Sequence, residues 1–395
     1  MADLLKLALV LAGIVVLLRR RVPVGPAMVF GALLLGLLYL TPPARVLGAA
    51  WDAVTYRVTI ELLTALSLIR MLEMLLRERD VLGTMMRAFS RIAGNRKATI
   101  ISMPMLIGML PSVGGAYFSA PMVDEAARET AMPAEEKAFV NYWFRHPWEY
   151  VLPLYPGLLL AAGLTGQSVR SMMVHNIPVA LVMFLAGLAY SMRGIGPGSA
   201  RREPVTREEL MSFVPIGAVL VLVIALHVKL YVALGAVVLA LCAFWRLHPR
   251  DLWRVVRYGV SLQVVGLIFG VMFLKTMMQA TGSVESLSAD FTAWGVPLVP
   301  TLIALPMITG LLTGLTIGFV GATFPLLVSL PGGAEPGAIA LAFCAGFVGV
   351  LLSPVHVCLV LTREYFHAPM GPLYRRMLVP SALLVAAALG VYLLS

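Results

Sequence analysis

The sequence predicts an all-α polytopic membrane protein made of two inverted repeats, with about ten transmembrane helices and two re-entrant hairpins. Three observations predict it: a deficit of charge, a series of long unbroken apolar runs, and one internal repeat. Hydrophobic residues make up 60% of the 395 and charged residues only 13%, where soluble domains carry about a quarter charged. Roughly 20 apolar residues span a bilayer as a helix, and several runs reach that length. They are continuous and rich in Leu, Val and Ala, without the alternation of a barrel strand. A bilayer leaves no other option than helices or closed barrels.

Taken in order, crossings one to three cover 2–18, 24–40 and 54–76. The first is not a cleaved signal, because its basic cluster, Arg19-Arg20-Arg21, follows the apolar run instead of preceding it. A basic stretch, 77–97, reads as an interfacial helix whose cations meet lipid headgroups. Residues 98–130 are an interrupted apolar pair, the first hairpin. Crossing four is 138–163 and crossing five 172–192. A polar linker with Arg193, Arg201, Arg202 and Arg207 divides the chain into repeats 1–195 and 205–395. Crossings six to eight are 210–227, 229–245 and 256–280; a polar stretch, 281–295, precedes the second hairpin, 297–330; crossings nine and ten are 336–361 and 376–394. Arg and Lys cluster at 19–21, 77–97, 193–207, 246–257 and 363–376, all on one side of this topology. The positive-inside tendency makes that side the cytoplasm, so both termini face out from the inner membrane. The same clustering explains the net charge of +10 and excludes nucleic acid as a partner. Cys242, Cys344 and Cys358 have no CxxC spacing, which suggests neither a disulfide framework nor a zinc site.

The repeat is read from identities. Thr99, Ile101, Pro104, Met105, Gly108 and Leu110 recur 202 residues on as Thr301, Ile303, Pro306, Met307, Gly310 and Leu312. Phe89 and Phe291 keep that offset, as do Glu73 and Lys275 in crossings three and eight. Past the tips, Gly114 and Ser119-Ala120-Pro121 align with Gly318 and Thr323-Phe324-Pro325. Five crossings per half is an odd number, so the second half enters from the other side. The basic 77–97 stretch accordingly corresponds to one carrying only Glu285 and Asp290. Inverted repeats with paired broken helices point to a secondary transporter with its site near the midplane.

Candidate substrate-binding residues sit at the tips: Ser112, Gly114, Gly115 and Ser119 in the first hairpin, Thr313, Gly314, Thr316 and Gly318 in the second. The N-terminus of each outgoing half-helix offers free N–H groups to an anion. Close helix packing is the competing use of such small residues. Within crossing four, Asn141, Arg145 and Glu149 follow i, i+4, i+8 spacing and are expected on one helical face, beside the helix breaker Pro147. Asn141 and Arg145 join the substrate-binding set. His146 and Glu149, with His356 beside Pro354 in crossing nine, are candidates for ion coupling. A charge at bilayer depth costs roughly 2.5–3.5 kcal/mol; a structural clamp and a snorkelling Arg145 are the alternatives. Glu61, Arg70, Glu73 and Lys275 read as helix-facing or dimer-interface charges. No cofactor and no resident metal is expected; the coupling ion is Na+ or H+. An HExxH motif is absent, so the chain reads as a transporter and not an enzyme. An intramembrane enzyme acting on lipid or peptide and an anion channel are the other classes.

The stretches from Pro111 to Pro121 and from Asn141 to Glu149 resemble the ion-transporter superfamily, which includes divalent-anion, citrate, arsenite and gluconate permeases, in an uncharacterised prokaryotic branch. The resemblance implies a homodimer working as an elevator. Crossings one to three and six to eight would be a static scaffold. The hairpins and crossings four, five, nine and ten would move. It implies a small anion, an organic carboxylate, as substrate. The tips here carry no Asn, unlike the Ser-Asn-Thr tips of the divalent-anion branch.

Overall fold

The computed structural model describes residues 2–93, 96–111, 115–128, 130–191, 204–283, 286, 289, 293 and 295–395. Among these residues it is helical throughout, with no strand. The tip residues Ser112 and Gly114, the linker residues Arg193, Arg201 and Arg202, and Glu285, Asp290 and Phe291 lie outside the described residues.

The first half runs α1 (Ala2–Arg19), α2 (Val24–Leu38), α3 (Pro43–Thr55), α4 (Arg57–Glu78), α5 (Val81–Ala93), α6 (Arg96–Gly108), α7 (Gly115–Ala126), α8 (Ala134–Trp143), α9 (Trp148–Val151), α10 (Pro156–Thr165) and α11 (Val169–Tyr190). The second runs α12 (Arg207–Met211), α13 (Val214–Leu220, continuing as a π turn, Val221–Ala225), α14 (Leu230–Phe244), α15 (Pro249–Gly259), α16 (Leu262–Ala280), α17 (Leu298–Thr313), α18 (Thr316–Leu327), α19 (Pro336–Leu351), α20 (Val357–Phe366) and α21 (Met370–Leu394). By length and apolarity, Val169–Tyr190, Arg207–Ala225, Pro249–Ala280 and Met370–Leu394 can each cross a membrane. Large apolar residues also face outward in stripes. On α11 these are Val174, Ile177, Leu181, Leu185 and Leu188; on α2 they are Phe30, Leu33 and Leu37. Exposed apolar surface on this scale marks a membrane or an interface. With the long apolar helices, it describes a membrane-embedded helical protein.

Three expectations need correcting. Residues 41–52, left between crossings two and three, are not a simple connection: a proline in the first turn starts α3 there, and Pro249 starts α15 likewise. Proline suits that position because its missing N–H would find no helical partner. Crossing four, expected as one helix broken at Pro147, is broken twice, into three helices. The Pro147 ring clashes with the carbonyl four residues earlier, and α8 ends at that residue, Trp143. Asn141, Arg145 and Glu149 therefore share no single helical face: they lie on α8, in the turn, and on α9. Lys275 faces neighbouring elements of its own chain: its Nζ donates to the Leu164 carbonyl at 3.2 Å and sits 5.5 Å over the Tyr56 ring.

Both hairpins are present as helix pairs, α6 on α7 and α17 on α18. Each arm carries an internal proline: Pro104, Pro121, Pro306 and Pro325. Their second arms pack across the chain, α7 against α20 and α18 against α10. The scaffold helices do the same, α2 against α16 and α14 against α4. Helix ends recur too. Leu40 (φ 49°) and Arg246 (φ 48°) follow α2 and α14 in left-handed backbone, 206 residues apart (246 minus 40). In each case the next N–H closes a six-residue loop, Thr41 to Gly36 at 2.8 Å and Leu247 to Cys242 at 3.1 Å, the Schellman geometry. Arg21 and His227 repeat the 206 spacing (227 minus 21), and Asp80 and Gly282 are 202 apart (282 minus 80). The largest fully buried side chains, including Trp143, Tyr142, Tyr150, Phe343 and Phe347, place the centre of the core around α8–α10 and α19.

Candidate functional site

Two helix breaks face each other at that centre. The first, residues 144–147, separates α8 from α9; the second, 352–356, separates α19 from α20. Prolines 147 and 354 supply no N–H, so carbonyls at both breaks need other donors. Tyrosines provide them at the second break: Tyr142 Oη donates to Leu351 O at 3.0 Å and Tyr374 Oη to Leu352 O at 2.9 Å. At the first, the His146 ring bonds Tyr142 O through Nδ1 at 2.6 Å.

The tip of the second hairpin reaches into this junction. Gly314 ends α17 in left-handed backbone at φ 65°. A Cβ there would press on the His356 N–H and the Ser353 hydroxyl, so glycine is required twice over. The Gly314 carbonyl is bonded by His356 Nδ1 at 2.8 Å. Two residues on, Thr316 Oγ1 donates to Glu149 Oε2 at 3.1 Å. Glu149 Oε1 is 3.9 Å from His146 Nε2, which is 3.4 Å from His356 Nε2. Gly314, Thr316, Glu149, His146 and His356 thus form one polar chain across three elements. Its members are sheltered, with the His146 side chain 1% and the Glu149 side chain 15% exposed. Arg145 is buried in the first break, and its charge acts on Cys358 and Tyr155. Gly108, at the end of α6, lies so close to the Arg145 carbonyl that a Cβ would collide with it. Trp148 Nε1 donates to Met105 O at 2.7 Å and Tyr155 Oη donates to Gly108 O, fastening the same hairpin arm to α9 and α10.

Other candidates stand apart. Ser119 and Thr313 are buried, but each hydroxyl bonds its own helix, Ser119 to Ala116 O at 3.3 Å and Thr313 to Thr309 O at 2.8 Å. Gly318 lies one turn into α18, near Leu315, Thr313 and Leu18. Gly115 begins α7. Asn141 is fully buried and bridges α7 to α20, its Nδ2 donating to Ala116 O at 2.9 Å and Thr362 Oγ1 at 3.1 Å. A cleft lined by Thr55, Arg57, Ile60, Glu61, Thr64 and Tyr231 lies elsewhere. Its exposed charges pair off, Arg57 to Glu61 at 3.1 Å and Lys229 to Glu61 at 3.4 Å.

Sequence reasoning missed Cys358. Its thiol lies at the junction, with the ligating atoms of His146, His356 and Cys358 all within 4.8 Å of one another. Its place two residues after His356 was the available signal; His146, 210 positions from residue 356, is joined to the pair only by the fold. Tyr155, six residues beyond the Asn141–Glu149 stretch, was also missed.

Residues 3–394 match the sequence profile of the family described as "Protein of unknown function (DUF401)". The match spans nearly the whole chain, which therefore belongs to that family. No curated protein matches it.

Proposed function

We propose that this member of the DUF401 family is a secondary active transporter. It moves a small anion, an organic carboxylate, across the inner membrane by an elevator mechanism coupled to Na+ or H+. One observation carries the reading: two broken helices and a hairpin tip converge on a single buried polar chain, from Thr316 through Glu149 and His146 to His356. Interrupted helices at membrane depth are tolerated where they line a cavity or are buried in protein, and a transporter uses such breaks to hold substrate and ion. Paired helix ends at fixed spacing, and the exchanged packing of α7 on α20 and α18 on α10, support two repeats of one plan. Opposite orientation of the halves follows from the odd number of crossings expected in each, with both termini outside. Two such halves can trade conformations, giving inward-facing and outward-facing states of similar energy.

In this scheme Arg145 supplies positive charge for the anion and the N-terminal turns of α7 and α18 supply N–H groups. His146, Glu149 and His356 carry the coupling ion. The scaffold is α1–α4 with α12–α16, and a homodimer forms through it. Uptake of labelled small carboxylates into proteoliposomes, under imposed Na+ and H+ gradients, tests the proposal. Wild-type protein should accumulate one of them in a gradient-dependent way, and Arg145→Ala and Gly115→Leu should lose that uptake. Full uptake by both variants would refute the site assignment.

A further inference from the structure

The two imidazoles of the junction present their ring nitrogens in an unusual way. His146 Nδ1 faces the carbonyl of Tyr142 at 2.6 Å and His356 Nδ1 the carbonyl of Gly314 at 2.8 Å. A carbonyl oxygen only accepts, so both Nδ1 atoms carry hydrogen and donate. In the neutral rings both Nε2 atoms are then bare acceptors. They point at each other across 3.4 Å. The thiol of Cys358 lies within hydrogen-bonding reach of both, yet it has one proton and satisfies one nitrogen at a time. At least one lone pair is left facing another in a nearly dry pocket, where such a clash is costly.

A cation held between them removes the clash, and the donors say which kind. Zinc-like ions bind imidazole nitrogen at about 2.0–2.1 Å and thiolate sulfur at about 2.3 Å in a tetrahedron, which sets two nitrogens roughly 3.3 Å apart. The Nε2 atoms stand at 3.4 Å, and Cys358 Sγ is within 4.8 Å of both. Glu149 Oε1, 3.9 Å from His146 Nε2, stands beside the three mutually close donors as a neighbouring negative charge, leaving the fourth position open. Backbone carbonyls that fix the tautomer of each ligating His are the usual outer shell of a metal site. The charges also balance: one thiolate, one carboxylate and two neutral rings around a divalent ion sum to zero, which suits a buried position. Hard cations take oxygen ligands; two imidazoles and a thiolate select the late transition metals.

We propose that His146, His356 and Cys358, with the Glu149 carboxylate beside them, bind a divalent transition-metal ion of the zinc class at the meeting point of the two helix breaks. The step is a ligand exchange without redox: the metal takes the sulfur of Cys358 and the two Nε2 lone pairs, and the thiol proton leaves to solvent. The inference rests on the donor set and stands whether or not the chain transports an anion; it replaces the ion-coupling role given above to His146 and His356, whose Nε2 lone pairs the metal occupies.

The test uses the detergent-purified full chain, stripped with chelator and titrated with Co2+, then with Zn2+ and Mg2+. Wild-type protein should bind one Co2+ per chain, with thiolate-to-cobalt charge-transfer absorption. Zn2+ should displace it and Mg2+ should not. Cys358→Ser should abolish that absorption, while a Cys242→Ser, Cys344→Ser double variant keeps it. His146→Gln and His356→Gln should weaken binding by more than ~10-fold, the loss that outer-shell changes alone produce. Circular dichroism identifies any variant that fails to fold, and the stripped wild type then decides on its own. Absence of stoichiometric Co2+ binding by folded wild-type protein, or charge-transfer absorption that survives in folded Cys358→Ser, overturns the proposal. Metal binding without carboxylate uptake would sink the transport reading alone; uptake without metal binding would sink this one alone.

Discussion

In the first half of the chain the break lies inside a short relay of helices, α8, α9 and α10, and carries Arg145, His146 and Glu149. In the second half it separates one long helix, α19, from α20, and carries Ser353, His356 and Cys358. The two breaks face each other, yet the formally charged side chains come from the first alone. The second contributes an imidazole and a thiol, those of His356 and Cys358, with the His356 ring held by the Gly314 carbonyl of the hairpin tip. Their support differs as well. A hairpin glycine touches each broken helix at repeat-related positions, but Gly108 meets the carbonyl of Arg145, in the break itself, whereas Gly310 meets that of Gly346, well within α19. One glycine therefore sets the shape of the site and the other the seating of a helix.

That contrast can be broken most forcefully at the glycines. Gly310→Leu should destabilise the protein broadly, by about 1–3 kcal/mol or more from overpacking, seen as a lower melting temperature and poor recovery from membranes. Gly108→Leu should cost a similar amount but act first on the site. It pushes on Arg145, so ligand-induced thermal stabilisation should vanish in protein that still folds. If both variants behave alike, the distinction between site and seat is wrong. The tyrosine caps give a smaller effect. Tyr142→Phe and Tyr374→Phe each leave a carbonyl at the end of α19 without its donor and should cost roughly 1–3 kcal/mol. The double variant should be close to additive if each cap acts independently. The smallest effect is a gain. Leu40→Gly and Arg246→Gly relieve left-handed backbone and should each stabilise by about 1 kcal/mol, by equal amounts if the two helix ends are equivalent.

The sequence located the four helices long and apolar enough to cross a membrane because a long apolar run admits few structures. It located both hairpins because prolines and glycines punctuate those runs. It failed at α3 and α15, whose charged residues, Arg45 and Asp52 in one and Arg250, Asp251 and Arg254 in the other, resemble loop composition until the proline at each first turn is weighed. It failed again at Asn141, Arg145 and Glu149, because i, i+4 spacing presumes a helix that Pro147 had already ended four residues earlier. Of the site, the polar residues beside prolines were legible: His146, Glu149 and His356. Which tip residue meets Glu149 was not, since Thr313 and Thr316 are chemically alike and only the turn at Gly314 separates the one bonded to its own helix from the one bonded across the junction. Cys358 was missed for a different reason: it stands two residues after His356, but so short a pairing reads as no metal motif until the opposite half brings His146 to it.

The exchange of hairpin arms between halves has a consequence for how the protein is made. Tyr142 waits for Leu351, a partner 209 residues further along the chain. A ribosome adding roughly 5–20 residues per second delivers that partner about 10–40 s later. Through that interval Arg145 and Glu149 sit in a half-built molecule, each worth roughly 2.5–3.5 kcal/mol against residence in lipid. The newborn first half is thus held at the membrane incomplete, and its quality is decided only when the last two helices arrive.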